Sequence, residues 1–222
     1  MKKQLLQSFL IVLCLHLVQT TNAQQQAVIT TTPSGVINGH EYVDLGLSVK
    51  WACENIQGAS VSYNNRGERF AWGEIETKTK FNKSNSKTYK KKMGDISGDE
   101  RYDAARALWG GTWRMPTKAE VEELLRECTW EIKDGWGYIV TGKNGNTVFF
   151  PFADLLRNKN KTFVGDYYWT STPDETDKRY AYVLYLYWGL FESDESFSHY
   201  LKSYNGKLGL RSDGCVIRPV TE

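Results

Sequence analysis

Thirteen aromatic side chains crowd into the 42 residues from 163 to 204, and nothing else in this sequence limits its fold as strongly. Residues 180–188 read Tyr-Ala-Tyr-Val-Leu-Tyr-Leu-Tyr-Trp. A period of two puts Tyr180, Tyr182, Leu184, Leu186 and Trp188 on one side of a strand and Ala181, Val183, Tyr185 and Tyr187 on the other. Both sides carry rings, so one of them could face a ligand. Tyrosine and tryptophan suit such a surface, because each gives a large rigid contact area and a hydrogen-bonding tip at small entropic cost. Beyond Trp188, polar residues separate the rings, as exposed loops would require. The candidate ligand-binding set is therefore Tyr185, Tyr187, Trp188, Phe191, Asp194, Tyr200 and Tyr204. The competing expectation is that these rings fill a small, irregular sheet.

The amino terminus sets the compartment. Lys2 and Lys3 precede an apolar run over 5–18, and Thr21, Asn22 and Ala23 follow it, the three-part pattern of a cleavable secretory signal peptide. The run is about 14 residues, short of the roughly 20 that a helix needs to span a bilayer. Cys14 lies inside it and leaves with it. Residues 1–23 are expected to be removed, and 24–39, rich in Gln and Thr with Pro33, Ser34 and Gly35, to form a flexible polar linker. Residues 40–222 are long enough for one well-built domain. No other window reaches spanning length, so no membrane-spanning segment is expected after cleavage. The destination is secreted, periplasmic or cell-surface. The leader takes away two lysines and no acid, leaving 26 basic and 26 acidic residues, a balance that points away from nucleic acid.

Within the domain, seven lysines between 78 and 92 lie among Ser, Thr and Asn, with too few apolar residues to hold the segment in a core, so an exposed loop is expected. A helix is expected over 99–109, ended by Gly110 and Gly111. A second begins after Pro116, where Thr117 and Glu120 are spaced for a reciprocal capping box, and Val121, Leu124, Leu125 and Cys128 fall on one side of it. Residues 138–141 and 147–150 read as strands joined around Asn144 and Gly145, and 216–220 as a last short strand. Trp51, Trp72, Trp109, Trp113 and Arg114 are expected in the core, with Arg218 held by an internal carboxylate or by carbonyls.

Five separated blocks carry a resemblance: NGHEYVDLGLSVKWA (38–52), FAWGE (70–74), DAARALWGGTWRMPTKAEVEELL (103–125), YYWTST (167–172) and GCVIRPV (214–220). Together they resemble the Fibrobacter succinogenes major paralogous domain family, and the likeness covers nearly all the chain from Asn38. It implies an α+β, C-type-lectin-like fold: two helices on small irregular antiparallel sheets, with the chain ends close together. It also implies that the aromatic region forms the exposed face of the domain, which in relatives of this scaffold displays variable recognition. The 113–125 block is similar to the helix entry of the formylglycine-generating, sulfatase-modifying enzymes. Those work through a cysteine pair near the end of the domain, where this chain has Cys215 alone, so the scaffold transfers and the chemistry does not.

Other chemistry finds little support in the residues. Outside the leader there are two histidines, His40 and His199, far apart, and no motif sets a base beside a nucleophile. No catalytic residue, metal site or cofactor is expected. The Glu-Pro-Asn, Gln-Pro-Asp and Trp-Asn-Asp signatures of calcium lectins are absent, and the acidic runs at Asp174, Glu175 and Asp177 and at Glu192, Asp194 and Glu195 lack EF-hand spacing. Cys53, Cys128 and Cys215 show no CxxC spacing; in an oxidising compartment one disulfide is expected, with Cys53–Cys128 preferred because it ties the first strands to the long helix. Buried unpaired thiols are the alternative. The leading functional expectation is an exported, non-enzymatic binding module that recognises a glycan or protein ligand. A structural or adhesive surface component stands second, and an enzyme on the sulfatase-modifying scaffold third.

Overall fold

The computed structural model describes residues 31–58, 66–133, 137–157, 161–191, 194–202 and 209–222, with backbone pairing alone for 154–157, 161–164, 187–191 and 194–202. Two helices and three antiparallel sheets place the described chain in the α+β class. One sheet has the order β1 (Gly35–Ile37), β2 (His40–Val43), β3 (Lys50–Ala52), β11 (Val220–Thr221). The second contains β4 (Thr129–Lys133), β5 (Gly137–Thr141) and β6 (Thr147–Pro151). The third runs β10 (Asp194–Lys202), β9 (Ala181–Phe191), β8 (Lys161–Pro173), β7 (Asp154–Arg157). Among the described residues no helix is long and apolar enough to cross a membrane.

Strand pairing begins at Gly35, inside the stretch that composition assigns to the linker. The cause is local: Asn38 and Gly39 take φ of 49° and 84°, the left-handed pair that a two-residue hairpin demands, and they fold β1 onto β2. The β5–β6 hairpin forms where Asn144 and Gly145 were expected to turn it, with Gly145 at φ 84°.

Helix α1 (Ala104–Trp109) is shorter than the expected 99–109. Residues before it form tight turns on the Asp99 carbonyl, and the helix proper starts where Asp103 caps it. Asp103 is a buried hub: Oδ1 accepts from the amides of Ala105 and Arg106, and Oδ2 from those of Gly98 and Met115. Helix α2 (Lys118–Glu127) carries the full capping box between Thr117 and Glu120. Glu120 also receives both arms of Arg114, at 2.9 and 2.6 Å, so one carboxylate closes the helix start and anchors the preceding turn. Val121 and Leu124 are buried on its inner side.

The two longest strands divide the interior. Tyr168, Leu184 and Leu186 enter one cluster, with Val43, Trp51, Val121, Leu124, Val140 and Phe150. Their neighbours Tyr167, Trp169, Ala181 and Val183 enter a second, with Phe70, Trp72, Trp109, Trp113 and Ile217. Successive residues of a strand point to opposite faces, so β8 and the first half of β9 feed both clusters at once. Over 181–186 Tyr182 and Tyr185 keep partial exposure, and the other four residues are buried.

Arg218 is fully buried and makes all its bonds to neutral acceptors. Nε donates to Asn55 Oδ1 at 2.7 Å, Nη1 to the Ala52 carbonyl at 2.9 Å and Nη2 to the Phe149 carbonyl at 2.9 Å. The guanidinium lies over the Phe150 ring, 4.6 Å from its centroid.

The expected Cys53–Cys128 disulfide is not formed. Both are buried free thiols within one apolar cluster, where thiols pack as small hydrophobes. Burial pushes each up to about 11. Cys53 and Cys128 should therefore resist iodoacetamide at pH 8 in the native protein and react within minutes in 6 M guanidinium; mass spectrometry of labelled peptides reads this directly. Replacing Arg218 with Met orphans three acceptors at about 1–3 kcal/mol each, so a loss of at least about 3 kcal/mol is expected, seen as a lower urea midpoint at unchanged slope.

Candidate functional site

The lysine-rich segment is anchored at intervals, although all its lysines but Lys78 are exposed. Glu74, whose side chain is wholly buried, accepts from the Lys87 amide at 2.6 Å and pairs with Lys78 at 2.5 Å. Thr88 Oγ1 donates to the Trp72 carbonyl, and Phe81 packs so closely on Gly214 that a Cβ there would meet its ring at 2.6 Å. An expectation based on apolar content missed these polar anchors. One buried carboxylate and one hydroxyl hold the loop where a core side chain would otherwise be needed.

So held, the loop forms one wall of a cleft of about 520 Å³. Lys92 and Asp95 come from it, Thr172 from the end of β8, Asp174 and Lys178 from the following turn, and Arg211 from the segment that leads to the last strand. Arg211 is 1 % exposed. Its Nε donates to the Tyr180 carbonyl at 3.0 Å and its Nη1 to the Lys91 carbonyl at 2.8 Å, and the guanidinium stacks on Trp72 with 4.2 Å to the ring centroid. Burial pushes its pKa down to about 10, against the smaller opposing pull of Asp174 and Asp177, so the group stays charged at neutral pH.

The carboxylates of this cleft are engaged by their own loops. Asp95 Oδ1 accepts from the Ser97 amide and Oδ2 from the Thr172 hydroxyl. Asp174 Oδ1 takes three donors, the amide and hydroxyl of Thr176 and the amide of Asp177. Asp177 in turn grips Arg179 through both oxygens. The acidic run at 174–177 is thus turn chemistry. Among the described residues no three His, Cys, Asp or Glu side chains gather to hold a metal ion.

Of the aromatic candidates, Tyr185 is half-buried, with its ring 5.0 Å from that of Tyr167 and packed over Gly165, where a Cβ would meet it at 2.4 Å. That is a packing role. Backbone register sets Tyr185 opposite Tyr200, Trp188 opposite Phe197 and Phe191 opposite Asp194. The side chains of Tyr187, Trp188, Phe191, Asp194 and Tyr200 lie outside the described residues, as does Tyr204. The cleft residues Lys92, Lys178 and Arg211 were not singled out from sequence. Lys92 was visible as part of the lysine run, but nothing in the sequence around Arg211 distinguishes it from a surface arginine.

Glu74→Gln removes the charge that holds Lys78, and Thr88→Val removes the bond to Trp72. A local loss of about 1.4 kcal/mol should speed tryptic cleavage within 78–92 roughly tenfold while cleavage elsewhere is unchanged, as limited proteolysis followed by mass spectrometry would resolve.

No protein-family model matches the chain, and no curated protein or solved structure matches it.

Proposed function

We propose that the chain is an exported, non-enzymatic binding module that captures a glycan in the cleft between the lysine loop and Arg211. The observation that carries this reading is the state of Arg211. A buried guanidinium is ordinarily matched by a carboxylate, because removing a charge from water is costly unless it is paired. Among the described residues Arg211 donates only to neutral carbonyls, with Asp174 and Asp177 acting on it without a direct bond, and it lines a cleft of a size that suits small-ligand recognition. Two helices with small antiparallel sheets, and a last strand β11 that returns to pair with β3, agree with the C-type-lectin-like scaffold that the five sequence blocks resemble. Fold alone would not assign a function, and the weight rests on the cleft. The signal-peptide pattern at 1–23 supports a destination in the periplasm, on the cell surface or outside the cell.

The thermal midpoint of residues 24–222 against a glycan panel, with and without calcium, tests the reading. A ligand at about 100 times its dissociation constant adds roughly 2.7 kcal/mol, and each kcal/mol moves a domain of this size by about 2–4 °C. One glycan class is expected to raise the midpoint by about 5 °C or more, independently of calcium. A panel that leaves it unmoved would remove glycan capture as the function.

A further inference from the structure

We propose that the ligand of the cleft is an acidic polysaccharide, whose carboxylate or sulfate group seats on Arg211 while neighbouring acidic residues of the polymer lie along the lysine loop. The inference rests on the binding reading above and names its ligand class.

Three cations line the cleft, and none has an ion-pair partner among the described residues: Lys92, Lys178 and Arg211. Arg211 is the best placed of them. With Nε and Nη1 committed to carbonyls and one face on Trp72, its orientation is fixed, and Nη2 has no hydrogen-bond partner among the described residues. A guanidinium held in this way can donate to an anion without first losing side-chain entropy. Lys92 and Lys178 are exposed and add charge at the opening. Asp95, Asp174 and Glu175 line the cleft as well, and local donors engage Asp95 and Asp174.

The positive surface continues outward. Of the seven lysines between 78 and 92, Lys78 pairs with Glu74 and Lys87 with Glu76. Lys80, Lys83, Lys90 and Lys91, like Lys92, are exposed with no carboxylate partner among the described residues. Lys83 and Lys90 both lie over the Tyr89 ring, 5.8 and 5.7 Å from its centroid. Outside the leader, acids and bases balance, so a concentration of cations on one anchored loop is a segregation of charge and not a general basicity.

Among polyanions, a polysaccharide fits best. Arg211 is recessed, beyond the reach of a flat lipid headgroup surface. The carboxylate of Glu175 also lines the cleft. Sugar hydroxyls can donate to it, a contact that a nucleic-acid phosphate, having no donor, cannot make.

Isothermal titration of residues 24–222 with polygalacturonate, dextran sulfate and neutral dextran at 50 and 200 mM salt tests this. One of the two acidic polymers should bind at least tenfold more tightly than neutral dextran, and its affinity should fall with salt; which one binds distinguishes carboxylate from sulfate. Replacing both Lys92 and Lys178 with Ala should weaken that binding at least tenfold with the thermal midpoint unchanged, since neither side chain bonds within the fold. Arg211→Lys keeps the charge and loses the fork, and should weaken binding further. Equal affinity for acidic and neutral polymers, no effect of the lysine pair, or tighter binding to single-stranded DNA or anionic vesicles would overturn the inference. Binding of a neutral glycan alone would sink the acidic ligand and leave the binding module standing. Binding of none would sink both.

Discussion

The guanidinium of Arg218 meets two segments far from it and from each other in sequence: the stretch from the end of β3 at Ala52 to the turn at Asn55, and β6 at Phe149. The first sheet, the second sheet and the approach to the last strand thus share one buried cation, with Phe150 as its platform. Burial drives its pKa down, and the opposing influence of Tyr168 and Cys53 is smaller. Hydrogen bonds to neutral acceptors, with good geometry on every arm, take the place of a counter-charge. An arrangement of this kind is directional where apolar packing is not, so it fixes the relation between sheets that oil-like contacts alone would leave adjustable.

Around this point the interior is organised by alternation. The pairs Tyr167/Tyr168, Val183/Leu184 and Val216/Ile217 each send one side chain to each cluster. The aromatic density that dominates the sequence suits that geometry, since both faces of these strands need apolar volume, although β8 also buries Thr170 and Ser171. The cleft lies where the alternation ends, past Thr172 and Pro173, and where the chain turns through Asp174 to Tyr180. Among the described residues Arg211 and Arg218 are the two largest buried cations: Arg218 spends every arm on the fold, and Arg211 bonds to carbonyls through Nε and Nη1.

Much of this was legible in the residues. Thr117 and Glu120 announced the capping box, Asn144 and Gly145 the second hairpin, and the tryptophans of the early blocks the core. The Asn38–Gly39 hairpin carried an equally clear signal, but low apolar content before it outweighed that signal, and the first strand was assigned to the linker. The lysine loop misled for a different reason. Its anchors are a buried Glu74 and Thr88, polar residues whose partners lie far from them in the chain, and no local pattern reports such pairing. The disulfide failed on similar grounds, because spacing along a chain says nothing of whether two sulfurs meet. Arg211 was illegible because its significance lies in the neutral carbonyls and the ring that hold it, a property of three-dimensional surroundings alone.

The return of β11 to β3 carries a consequence for how the chain reaches this state. Trp51 finds its partner Val220, and Arg114 bridges to the same residue, only after nearly the whole domain has been made. Contacts of such long sequence separation close late and slowly, because chain entropy must be lost before they are rewarded. The early sheet and the bonds of Arg218 wait on the last few residues.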